Sequence, residues 1–573
     1  MDKIVKYESP GLVFLPDNSI RSKVDILLIT GDAYIDHPSF GVAVIARVLV
    51  ANGYSVCIAS QPEYYNPDYL QTLPVPVLFI GITSGNLDSV AGNYTGNRNL
   101  RRDNAYSING VVNFINGKKI RPDRALITYT GFIKQRFKDV PVVLGGLEAS
   151  LRRFSHFDYV QNKIRKSVLI DSKADILVYG MGEKAILEIA LRLREGQSIN
   201  GVHGTMVRYR EGLGSEKTIE LPSYDEILNQ KQNLYLATSM IESNMIPHNS
   251  SSLLQYQGSV AVISFCPQPI LDEQQLDEIY NLPFKKDYPE YCQRVPAWSM
   301  INTSITTHRG CYGRCSFCAI AAHQGPAVMS RSHSSVIKEA EQLTYKSFFK
   351  GTISDAGGPT ANMYGTSCKI GWCKDPHCLY PDICENLILN ENTYVALLKK
   401  IKNTSGVKHI FVSSGIRYDI ALLKKEETEW IIVNATSGHF KVAPEHTENE
   451  ILALMKKPGL KVFIEFLDMF DRVKKESGLR FYVLPYIILS HPGSSDKSAE
   501  KMAKFLKSKH ISTRQYQDFT PVPSTLSTAM YYSGYDPDGN KISVISPSYI
   551  KNSQREIVEK ILNDSSKSKR LDP

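Results

Sequence analysis

The stretch His308-Arg309-Gly310-Cys311-Tyr312-Gly313-Arg314-Cys315-Ser316-Phe317-Cys318 decides the fold and the chemistry of this 573-residue chain. Three of its ten cysteines lie here in the spacing Cys-x3-Cys-x2-Cys, and two glycines let the loop turn tightly. A structural zinc site needs four ligands, whereas a catalytic metal site keeps one position open. A cluster of four irons takes one thiolate per iron, so three thiolates leave one iron free for a small ligand. The spacing therefore predicts that Cys311, Cys315 and Cys318 hold a metal centre with one open position, either a catalytic metal ion or a [4Fe–4S] cluster with one open iron.

Length and composition set the class of protein. A chain of 573 residues exceeds what one hydrophobic core usually serves, so two or three domains are expected. No apolar run approaches the roughly 18 residues that span a bilayer, and residues 1–10 lack the apolar core of a signal peptide. These features predict a cytoplasmic protein without membrane contact, in which reduced thiols serve as metal ligands rather than as disulfides.

The N-terminal part of the chain alternates short apolar runs with helical patterns. Residues 24–30 form an apolar run, and an apolar helical pattern follows over 41–51. The same order recurs where residues 77–80, 142–144 and 176–179 lead into glycine-containing loops. This alternation predicts a mostly parallel, Rossmann-like α/β domain over residues 1–200. Residues 201–295 have mixed patterns and several prolines, and they are predicted to be a connector packed against both domains.

Residues 296–540 are predicted to form an incomplete (β/α)6 barrel. Six strand–helix units follow one another without an antiparallel hairpin, with candidate strands at 300–306, 351–354, 409–413, 439–442, 480–489 and 512–519. Because barrel chemistry lies at the carboxyl ends of the strands, the cysteine loop after the first strand is expected on the catalytic rim. Residues 541–573 are expected to be a partly disordered tail with a Lys/Ser-rich end.

A second group of cysteines lies in an insertion over residues 366–386. Its members are spaced Cys-x4-Cys-x4-Cys-x5-Cys and are Cys368, Cys373, Cys378 and Cys384. Pro376 and Pro381 forbid a continuous helix, so the segment is an irregular loop that needs a staple. Four thiols at this spacing predict a zinc site or an auxiliary iron–sulfur cluster. The isolated cysteines, Cys57, Cys266 and Cys292, are predicted to be structural.

The three-cysteine spacing, with the aromatic Phe317 before the last cysteine, resembles the signature of radical S-adenosylmethionine (SAM) enzymes. In that superfamily the open iron binds the amino and carboxylate groups of SAM. The reduced cluster cleaves SAM to methionine and a 5′-deoxyadenosyl radical, which abstracts hydrogen from a substrate. The resemblance implies the same reaction here on an unidentified substrate, with a small electron donor such as flavodoxin or ferredoxin as partner.

The resemblance also implies where SAM lies. Gly357 and Gly358 match a segment whose backbone carbonyls bind the methionyl ammonium, but Pro359 stands where those enzymes have an acid, and Asp355 is expected to supply the charge. After the third strand, Ser413, Ser414 and Arg417 suit the ribose hydroxyls and the carboxylate of SAM, since Arg pairs with carboxylates through two hydrogen bonds. The alternative is that Ser414 caps a helix and Arg417 is solvated.

Residues at the later strand ends are candidates for contact with substrate. Lys441 lies on the fourth strand, where a charge inside a barrel needs a partner. Glu445, at the exit of the same strand, is its expected counter-ion. His491 follows the fifth strand. Lys441, Glu445 and His491 are therefore the catalytic candidates, and the sequence assigns none of them a specific role.

Longer stretches resemble YgiQ-type radical SAM proteins over residues 20–540. They are 84–89 (Ser-Gly-Asn-Leu-Asp-Ser), 145–154 (Gly-Gly-Leu-Glu-Ala-Ser-Leu-Arg-Arg-Phe), the cysteine loop, 355–364, 441–446 and 518–521. The resemblance implies a Rossmann-like domain of the cobalamin-binding type ahead of the barrel. The cobalamin motif Asp-x-His-x-x-Gly is not matched, because the chain reads Asp36-His37-Pro38-Ser39-Phe40-Gly41. Cobalamin without a histidine ligand stays open, and His37 is predicted to be a loop histidine.

Two functions are consistent with these patterns. The first is a radical SAM enzyme. Within that class a tRNA methylthiotransferase needs a second cluster in the N-terminal domain, where only Cys57 lies. The second is a non-enzymatic zinc or iron–sulfur module that binds RNA. The net charge of +9 permits RNA contact, but no long Lys/Arg block indicates it, and the open metal position favours the enzyme.

Overall fold

The computed structural model describes residues 11–213, 217–289, 294–371, 373, 377–511, 516–545 and 550–568. Cys292, Pro376 and residues 512–515 of the predicted sixth barrel strand lie outside these ranges, as do residues 569–573 of the expected tail. No helix in the described ranges has the length and apolar character that crossing a membrane requires.

A ten-stranded sheet forms the N-terminal half of the protein. Its five central strands run parallel, in the spatial order Val56–Ser60, Lys23–Thr30, Val75–Thr83, Val142–Gly145 and Ile176–Val178. Leu12–Leu15 adds an antiparallel strand at one edge. Side chains alternate between two hydrophobic cores: Ile26 and Leu28 lie in one, Leu27 and Ile29 in the other. Helices therefore cover both faces, which explains the unbroken apolar run of the central strand.

The structure differs from the predicted connector over 201–295. Thr205–Arg208, Val260–Ser264 and Leu253–Gln257 continue the N-terminal sheet in antiparallel order, and Ile219–Glu220 lies beyond them at its far edge. These strands have two to five residues and are separated by polar helices. Their apolar patterns are too short to reveal a shared sheet from sequence.

The helices of this half begin with Gly41–Ala51 and end with Glu273–Tyr280. Between them lie Pro67–Thr72, Ser89–Asn93, Ala125–Ile133, Gly146–Leu151, Val168–Ser172, Glu183–Arg194, Tyr224–Asn229 and Asn233–Ser243, with single 3-10 turns at Ile108–Gly110 and Pro247–Asn249 and a small hairpin of His156–Asp158 with Lys163–Arg165.

Six parallel strands form the predicted partial barrel, which is confirmed. They are Ser304–Thr306, Thr352–Ile353 with Asp355–Gly357, His409–Ile410, His439–Glu445, Tyr482–Leu489 and Tyr516–Asp518. Each strand lies beside the next in chain order, the third and fourth joining through a single bridge from Ile416 to Val442. The described strands make no pairing between the sixth and the first, so the barrel is open.

The helices of the barrel half surround these strands. They are Pro296–Ile301, Ala319–Gln324, His333–Thr344, Thr393–Lys402, Tyr418–Leu423, Lys425–Asn434, Asn449–Leu454, Leu460–Ser477, Asp496–Ser508, Leu526–Ser533 and Ile550–Ser568, with a 3-10 turn at Ala361–Met363 and two-residue strands at His308–Arg309, Met329–Ser330, Ser367–Cys368 and Leu387–Ile388.

The C-terminal segment is helical over residues 550–568, whereas residues 546–549 and 569–573 lie outside the described ranges, so a partly disordered tail stays a prediction. The helix Ile550–Ser568 packs on Asp496–Ser508, and its Val558 belongs to the barrel core. The buried Gln554 side chain accepts a hydrogen bond of 2.8 Å from the backbone of Ser490. Apolar residues recur along this helix at helical spacing, and the Lys/Ser-rich end obscures them.

Candidate active site

The cysteine loop leaves the first barrel strand at the carboxyl rim, as predicted. His308–Arg309 pairs in antiparallel fashion with Met329–Ser330, which closes the loop at its base. Gly310 has a φ of +79°, and a Cβ there would stand 1.6 Å from the carbonyl oxygen of Ala327. Only glycine fits this position, because both the backbone conformation and the space exclude a side chain.

The three thiols of the loop face one another. The backbone amide of Gly313 donates to the sulfur of Cys311 at 3.3 Å. Burial raises the pKa of Cys318 to about 12, and the neighbouring thiols of Cys315 and Cys311 add to the shift. Three soft thiol donors converging on one rim fit an iron–sulfur cluster with one open iron. Within the described ranges, no three His, Cys, Asp or Glu side chains are grouped so as to hold a single metal ion.

Arg417 lies against this cluster loop rather than standing free for the carboxylate of SAM. Its Nη1 is 3.8 Å from the sulfur of Cys315, and its Nε and Nη2 donate to the carboxylate of Asp419. Asp419 holds the pKa of Arg417 above its ordinary value against the cost of burial. A permanent cation beside the sulfurs offsets the negative charge of thiolate ligands.

Asp355, Ser413 and Ser414 are brought together, but they bind one another. One carboxylate oxygen of Asp355 accepts the backbone amides of Ser413 and Ser414 at 2.8 and 3.0 Å, and the other accepts the Ser414 hydroxyl at 2.5 Å. The Ser413 hydroxyl donates to the carbonyl of Ser354. This arrangement joins the second and third strand ends. Three donors of the protein thus use most of the about four acceptor sites of this carboxylate, and the role of Asp355 as the charge that meets the ammonium of SAM stays a prediction.

The two glycines after the second strand serve close packing. A Cβ on Gly357 would stand 2.6 Å from the Ser414 hydroxyl, and one on Gly358 would stand 2.6 Å from the ring of His308. The carbonyl of Gly357 accepts from the backbone amide of Thr307 at 2.8 Å. The Gly-Gly segment therefore lies at the base of the cysteine loop, and the Gly357 carbonyl accepts hydrogen bonds within the protein. Binding of the methionyl ammonium by these carbonyls stays a prediction.

Glu445 and Lys441 do not form the predicted pair. The strand register shifts between Val442 and Glu445, so the two side chains no longer alternate regularly. Lys441 lies instead near Asp355, whose pKa it lowers against the raising effect of burial. Glu445 is 8% exposed, and its charged neighbours are Lys457 and Arg417. Burial raises its pKa, and no hydrogen bond from another described residue reaches its carboxylate.

His491 is buried with both ring nitrogens engaged. Nδ1 lies 2.8 Å from the carbonyl of Pro492, so it carries the proton and donates. Nε2 accepts from the hydroxyl of Ser527 at 2.7 Å. The ring packs edge-on against Phe317 and Phe519. His491 thus positions Phe317, the aromatic residue before Cys318. Because both of its ring nitrogens are already hydrogen-bonded, it is a poor candidate for a group that exchanges protons with substrate.

Four non-glycine residues around the rim adopt left-handed backbone conformations. They are Arg314, Glu445, Ser490 and Ser524, with φ values of 44°, 68°, 60° and 58°. Such residues cost free energy and concentrate at functional sites. Sequence analysis missed Arg314, Ser490 and Ser524, and no sequence signal marks them because none is Gly or Asn.

The N-terminal domain closes one side of the site. The Asn97 side chain donates to Asp518 at 3.2 Å, and the Ser524 hydroxyl donates to the carbonyl of Leu151 at 2.7 Å. Ser150 hydrogen-bonds His323, which lies on the helix after Cys318, at 2.9 Å. The stretch 145–154 therefore faces the cysteine loop, so this family-specific motif belongs to the site.

His37 is not placed as a cobalamin ligand. It is 1% exposed, its Nδ1 accepts from the backbone of Ser39, and burial lowers its pKa to about 3. Lys286 and Glu339 are the charged groups nearest to it. The histidine thus lies in the loop between the strand Lys23–Thr30 and the helix Gly41–Ala51, with its ring buried near Lys286 and Glu339.

The four cysteines of the second group are described, but they are not grouped so as to hold a metal ion, and the predicted metal site stays a prediction. Cys368 lies on a two-residue strand opposite Leu387, and the amide of Cys384 donates to the carbonyl of Cys378 at 2.9 Å. Burial raises the pKa of Cys378 to about 12, with a further contribution from the other three thiols. The two described isolated cysteines differ from each other in burial. Cys57 is fully buried in the sheet core, and Cys266 is half-buried.

Comparisons with known proteins agree with this geometry. The radical SAM N-terminal family matches residues 17–304, and the radical SAM superfamily matches residues 305–506. The UPF0313 protein of Thermotoga neapolitana is 44% identical over 567 residues, covering 95% of this chain and 98% of the relative. The UPF0313 protein of Methanosarcina acetivorans is 39% identical over 591 residues, covering 96% of this chain and 79% of the relative.

A solved structure shares the fold. It is the radical SAM methyltransferase TsrM from Kitasatospora setae with cobalamin and a [4Fe–4S] cluster bound, at a TM-score of 0.52 and 14% identity, covering 96% of this chain and 92% of that one. The predicted YgiQ-type resemblance, the fold class and the use of a [4Fe–4S] cluster and SAM are confirmed. The chain therefore belongs to the UPF0313 family and is a radical SAM enzyme.

Proposed function

We propose that this enzyme cleaves SAM reductively and uses the resulting radical to abstract hydrogen from a substrate held between the barrel rim and the N-terminal domain. The observation that carries the proposal is the convergence of Cys311, Cys315 and Cys318 at the carboxyl end of the first barrel strand. When bound there, a reduced [4Fe–4S] cluster supplies one electron to SAM and yields methionine and a 5′-deoxyadenosyl radical.

Arg417 holds the cysteine loop and balances its charge. The guanidinium reaches Cys315 from the third strand end, and a Cβ on Gly313 would stand 2.9 Å from its Nη1. Gly313 is therefore small so that the cation can approach the sulfurs. Asp419 fixes the guanidinium through its paired hydrogen bonds.

Glu445 is the acid that receives the ammonium of SAM. Its carboxylate is buried near Cys318, whose pKa it helps to raise, and it lacks hydrogen-bond donors among the described residues. Burying a carboxylate without donors is costly unless a ligand satisfies it. An α-ammonium brings a positive charge and three N–H donors. Asp355 is the poorer candidate, because Ser413 and Ser414 already donate three hydrogen bonds to its carboxylate.

Detection of 5′-deoxyadenosine tests the reaction. The protein is reconstituted anaerobically with iron and sulfide, reduced with dithionite and incubated with SAM, and the products are separated by liquid chromatography. We expect 5′-deoxyadenosine from the wild type, none from Cys315→Ala, and wild-type yield from Cys266→Ala, which alters an isolated thiol. If the wild type forms no more product than Cys315→Ala, the proposed function is refuted.

A matched pair of substitutions tests the role of Glu445. Loss of one charge-assisted pair costs about 1.5–3 kcal/mol, so Glu445→Gln is expected to raise the Kd for SAM by roughly ten- to a hundredfold. Glu450→Gln changes an exposed residue on the following helix and serves as the control. Binding of SAM is measured by equilibrium dialysis at equal iron content. An unchanged Kd in Glu445→Gln excludes contact between this acid and the ammonium.

TsrM, which shares this fold, binds cobalamin, so the N-terminal domain of this enzyme is a candidate cobalamin site. If the N-terminal domain binds it, the corrin has no lower ligand from His37, since that side chain is buried at the junction near Lys286 and Glu339. Reconstitution with hydroxocobalamin followed by gel filtration and absorption spectroscopy tests this. We expect any bound cobalamin to give the same spectrum in the wild type and in His37→Gln.

A further inference from the structure

Arg153 is the one buried arginine in the described part of the chain that has no acidic partner. The residue is 3% exposed, and no carboxylate of a described residue forms an ion pair with it. The other buried arginines of the described ranges each form an ion pair with an aspartate or a glutamate: Arg47, Arg121, Arg152, Arg309, Arg331 and Arg417. Burial lowers the pKa of Arg153, and no acid offsets that effect. The cost of burying this charge is therefore not met by the residues that the structure describes.

The guanidinium of Arg153 is held in place and still has hydrogen-bond donors to offer. Its central carbon lies 4.7 Å from the ring centre of Tyr179 and 5.5 Å from that of Phe154, so two aromatic rings fix its position. Nη1 donates to the carbonyl of Ser150 at 2.6 Å. Nε is buried without an acceptor, and no described residue accepts from Nη2. Because a guanidinium carries five N–H donors and a full charge, the ligand that completes this one is an oxyanion.

Arg153 lines a cavity of about 30 Å³ beside the cysteine loop. The loop contributes two of its three cysteines to the wall, Cys315 and Cys318. Glu242 also lies in this wall, but it accepts a hydrogen bond of 3.1 Å from Arg314 and is therefore already paired. Arg153 is thus the charge in the wall that the described residues leave without a counter-ion, and a small anion in the cavity would supply one.

The position of Arg153 differs from that of Arg417, the cation that balances the charge of the cysteine loop. Nη1 of Arg417 is 3.8 Å from the sulfur of Cys315, whereas Arg153 donates to no sulfur of a described residue. Arg153 belongs to the N-terminal domain and follows the helix Gly146–Leu151, which begins at the carboxyl end of the parallel strand Val142–Gly145. Open parallel sheets bind their ligands at that edge. Arg153 therefore faces the space between the two domains in which the proposed function places the substrate.

A second cavity, of about 80 Å³, adjoins the first. Met245, Ala322 and Pro326 line both of them. The ring of Tyr179, over which the guanidinium of Arg153 lies, belongs to the wall of the second cavity. Most of the other side chains in that wall are apolar, among them Met181, Pro267, Ile270, Leu271 and Met329. The unpaired cation thus lies where a polar cavity meets an apolar one.

From this placement we propose that Arg153 binds an anionic group of the substrate, a carboxylate or a phosphate, and that the apolar part of the substrate occupies the neighbouring cavity. Arginine suits both groups, because its planar fork donates two parallel hydrogen bonds to their oxygens. Nε and Nη2 are the donors that remain for this contact. The anion site stands on its own geometry, and the identity of the anion as the substrate rests on the proposed function.

Urea unfolding separates a ligand-binding arginine from a structural one. Arg153→Met removes a buried charge that no described acid balances, so the urea midpoint is expected to stay unchanged or to rise. Arg309→Met is the matched comparison, because it leaves the buried carboxylate of Glu183 unpaired and should lower the midpoint. If Arg153→Met lowers the midpoint as much as Arg309→Met does, Arg153 is structural and the proposal is overturned.

Two small anions probe the site directly. Inorganic phosphate and hexanoate are titrated into the anaerobically reconstituted full chain by calorimetry, with hexanamide as the uncharged analogue of hexanoate. We expect one site for at least one anion and no binding of hexanamide at the same concentrations. The Kd for the bound anion should be at least about tenfold higher in Arg153→Met. Binding of hexanoate alone or of phosphate alone identifies which anionic group the site takes.

Two further variants guard this measurement. Arg153→Lys keeps the charge without the fork, so its Kd should also rise, and it replaces Arg153→Met if that variant does not fold. Arg472→Met removes an arginine from the surface of the helix Leu460–Ser477 and should keep the wild-type Kd. A wild type that binds neither anion, or that binds them no more tightly than Arg153→Met does, overturns the proposal.

Electron paramagnetic resonance locates the bound anion. Because Arg153 shares a cavity wall with Cys315 and Cys318, the anion should shift the signal of the dithionite-reduced wild type and leave that of Arg153→Met unchanged. An unchanged wild-type signal places the anion elsewhere and overturns the proposal. If hydroxocobalamin displaces the anion, and its own Kd rises equally in Arg153→Met, the arginine binds the phosphate of that cofactor and the assignment to substrate fails.

These measurements use no SAM, so their outcome is separate from that of the proposed function. A protein that binds the anion through Arg153 but forms no 5′-deoxyadenosine refutes the proposed function, and with it the identity of the anion as substrate, while the anion site remains. A protein that forms 5′-deoxyadenosine but binds neither anion refutes this inference alone.

Discussion

Asp355 provides the sharpest test of how the rim is built. Its carboxylate accepts two backbone amides, from Ser413 and Ser414, and the Ser414 hydroxyl, at 2.5–3.0 Å. The structure thus makes it a brace between the second and third strand ends. Sequence had suggested a direct contact with the ammonium of SAM instead. The two roles predict opposite outcomes for Asp355→Asn, which keeps the shape of the side chain and removes its charge.

The magnitude follows from the hydrogen bonds. Asp355→Ala leaves two backbone donors and a hydroxyl without their acceptor, and each hydrogen bond to a charged group is worth about 1.5–3 kcal/mol. Because these bonds form one network and are not additive, we expect a total loss of about 3–5 kcal/mol in the free energy of unfolding. Asp355→Asn retains one oxygen for the two amides, and the Ser414 hydroxyl can rotate to accept from the new amide. It should cost about 1 kcal/mol.

Urea unfolding and equilibrium dialysis with SAM measure the two effects separately. We expect Asp355→Asn to keep its iron and to bind SAM with a Kd within about threefold of the wild type, a difference below 1 kcal/mol. Asp471→Asn, at an exposed position of the long helix Leu460–Ser477, is the control. If Asp355→Asn folds with full iron content but its Kd for SAM rises more than about tenfold, the bracing role is refuted.

Three further outcomes follow from the geometry. Gly310→Ala places a Cβ 1.6 Å from the carbonyl oxygen of Ala327 at a φ of +79°, so it should abolish iron binding. The control is Gly415→Ala, whose Cβ meets no atom within 4 Å and which should leave the iron content of the protein unchanged. Arg309→Met leaves the buried carboxylate of Glu183 without its cationic partner, since Arg309 donates to it at 2.6 Å. The variant should lower the free energy of unfolding, measured in urea, by about 3–5 kcal/mol, and adding Glu183→Gln should largely reverse this loss. Burial lowers the pKa of His491 from 6.5 to about 4, so between these pH values the histidine is protonated in the unfolded chain and neutral in the folded chain. The stability it contributes is complete above pH 6.5 and falls by about 1.4 kcal/mol per pH unit toward pH 4, and His491→Gln should make the urea midpoint depend less on pH over that window.

The barrel and its cysteine loop were predictable because their signals are local. The thiols of the loop lie within eight positions, and the chemistry of a cluster demands that they meet wherever the loop is placed. The six barrel strands were predictable because short strand-like runs alternate with helical patterns whose apolar residues recur at i, i+3, i+4 and i+7. The N-terminal sheet was only half predicted. Its later strands, such as Ile219–Glu220, are too short to carry a period of their own.

The roles of polar residues were less predictable than their positions. Ser413, Ser414 and Asp355 do lie together at the rim, but sequence cannot show that they satisfy one another before any ligand arrives. His491 likewise lies where expected, and only the structure reveals that Pro492 and Ser527 occupy its two nitrogens. Hydrogen-bond partners from distant segments decide such roles, and these partners are a property of the fold.

The two buried acids of the rim, Asp355 and Glu445, differ in whether the protein itself supplies their hydrogen-bond donors. Both are buried, and burial raises the pKa of both. Asp355 is stabilised by hydrogen-bond donors of its own chain, so it can remain charged without help from a ligand. Glu445 sits at a register shift in a left-handed conformation, with Lys457 and Arg417 as its charged neighbours. Backbone strain and an incomplete set of hydrogen-bond donors raise the free energy of the protein at this residue. A cationic ligand that supplies the missing donors recovers that free energy on binding, which is why the strained acid, rather than the satisfied one, should govern the affinity for SAM.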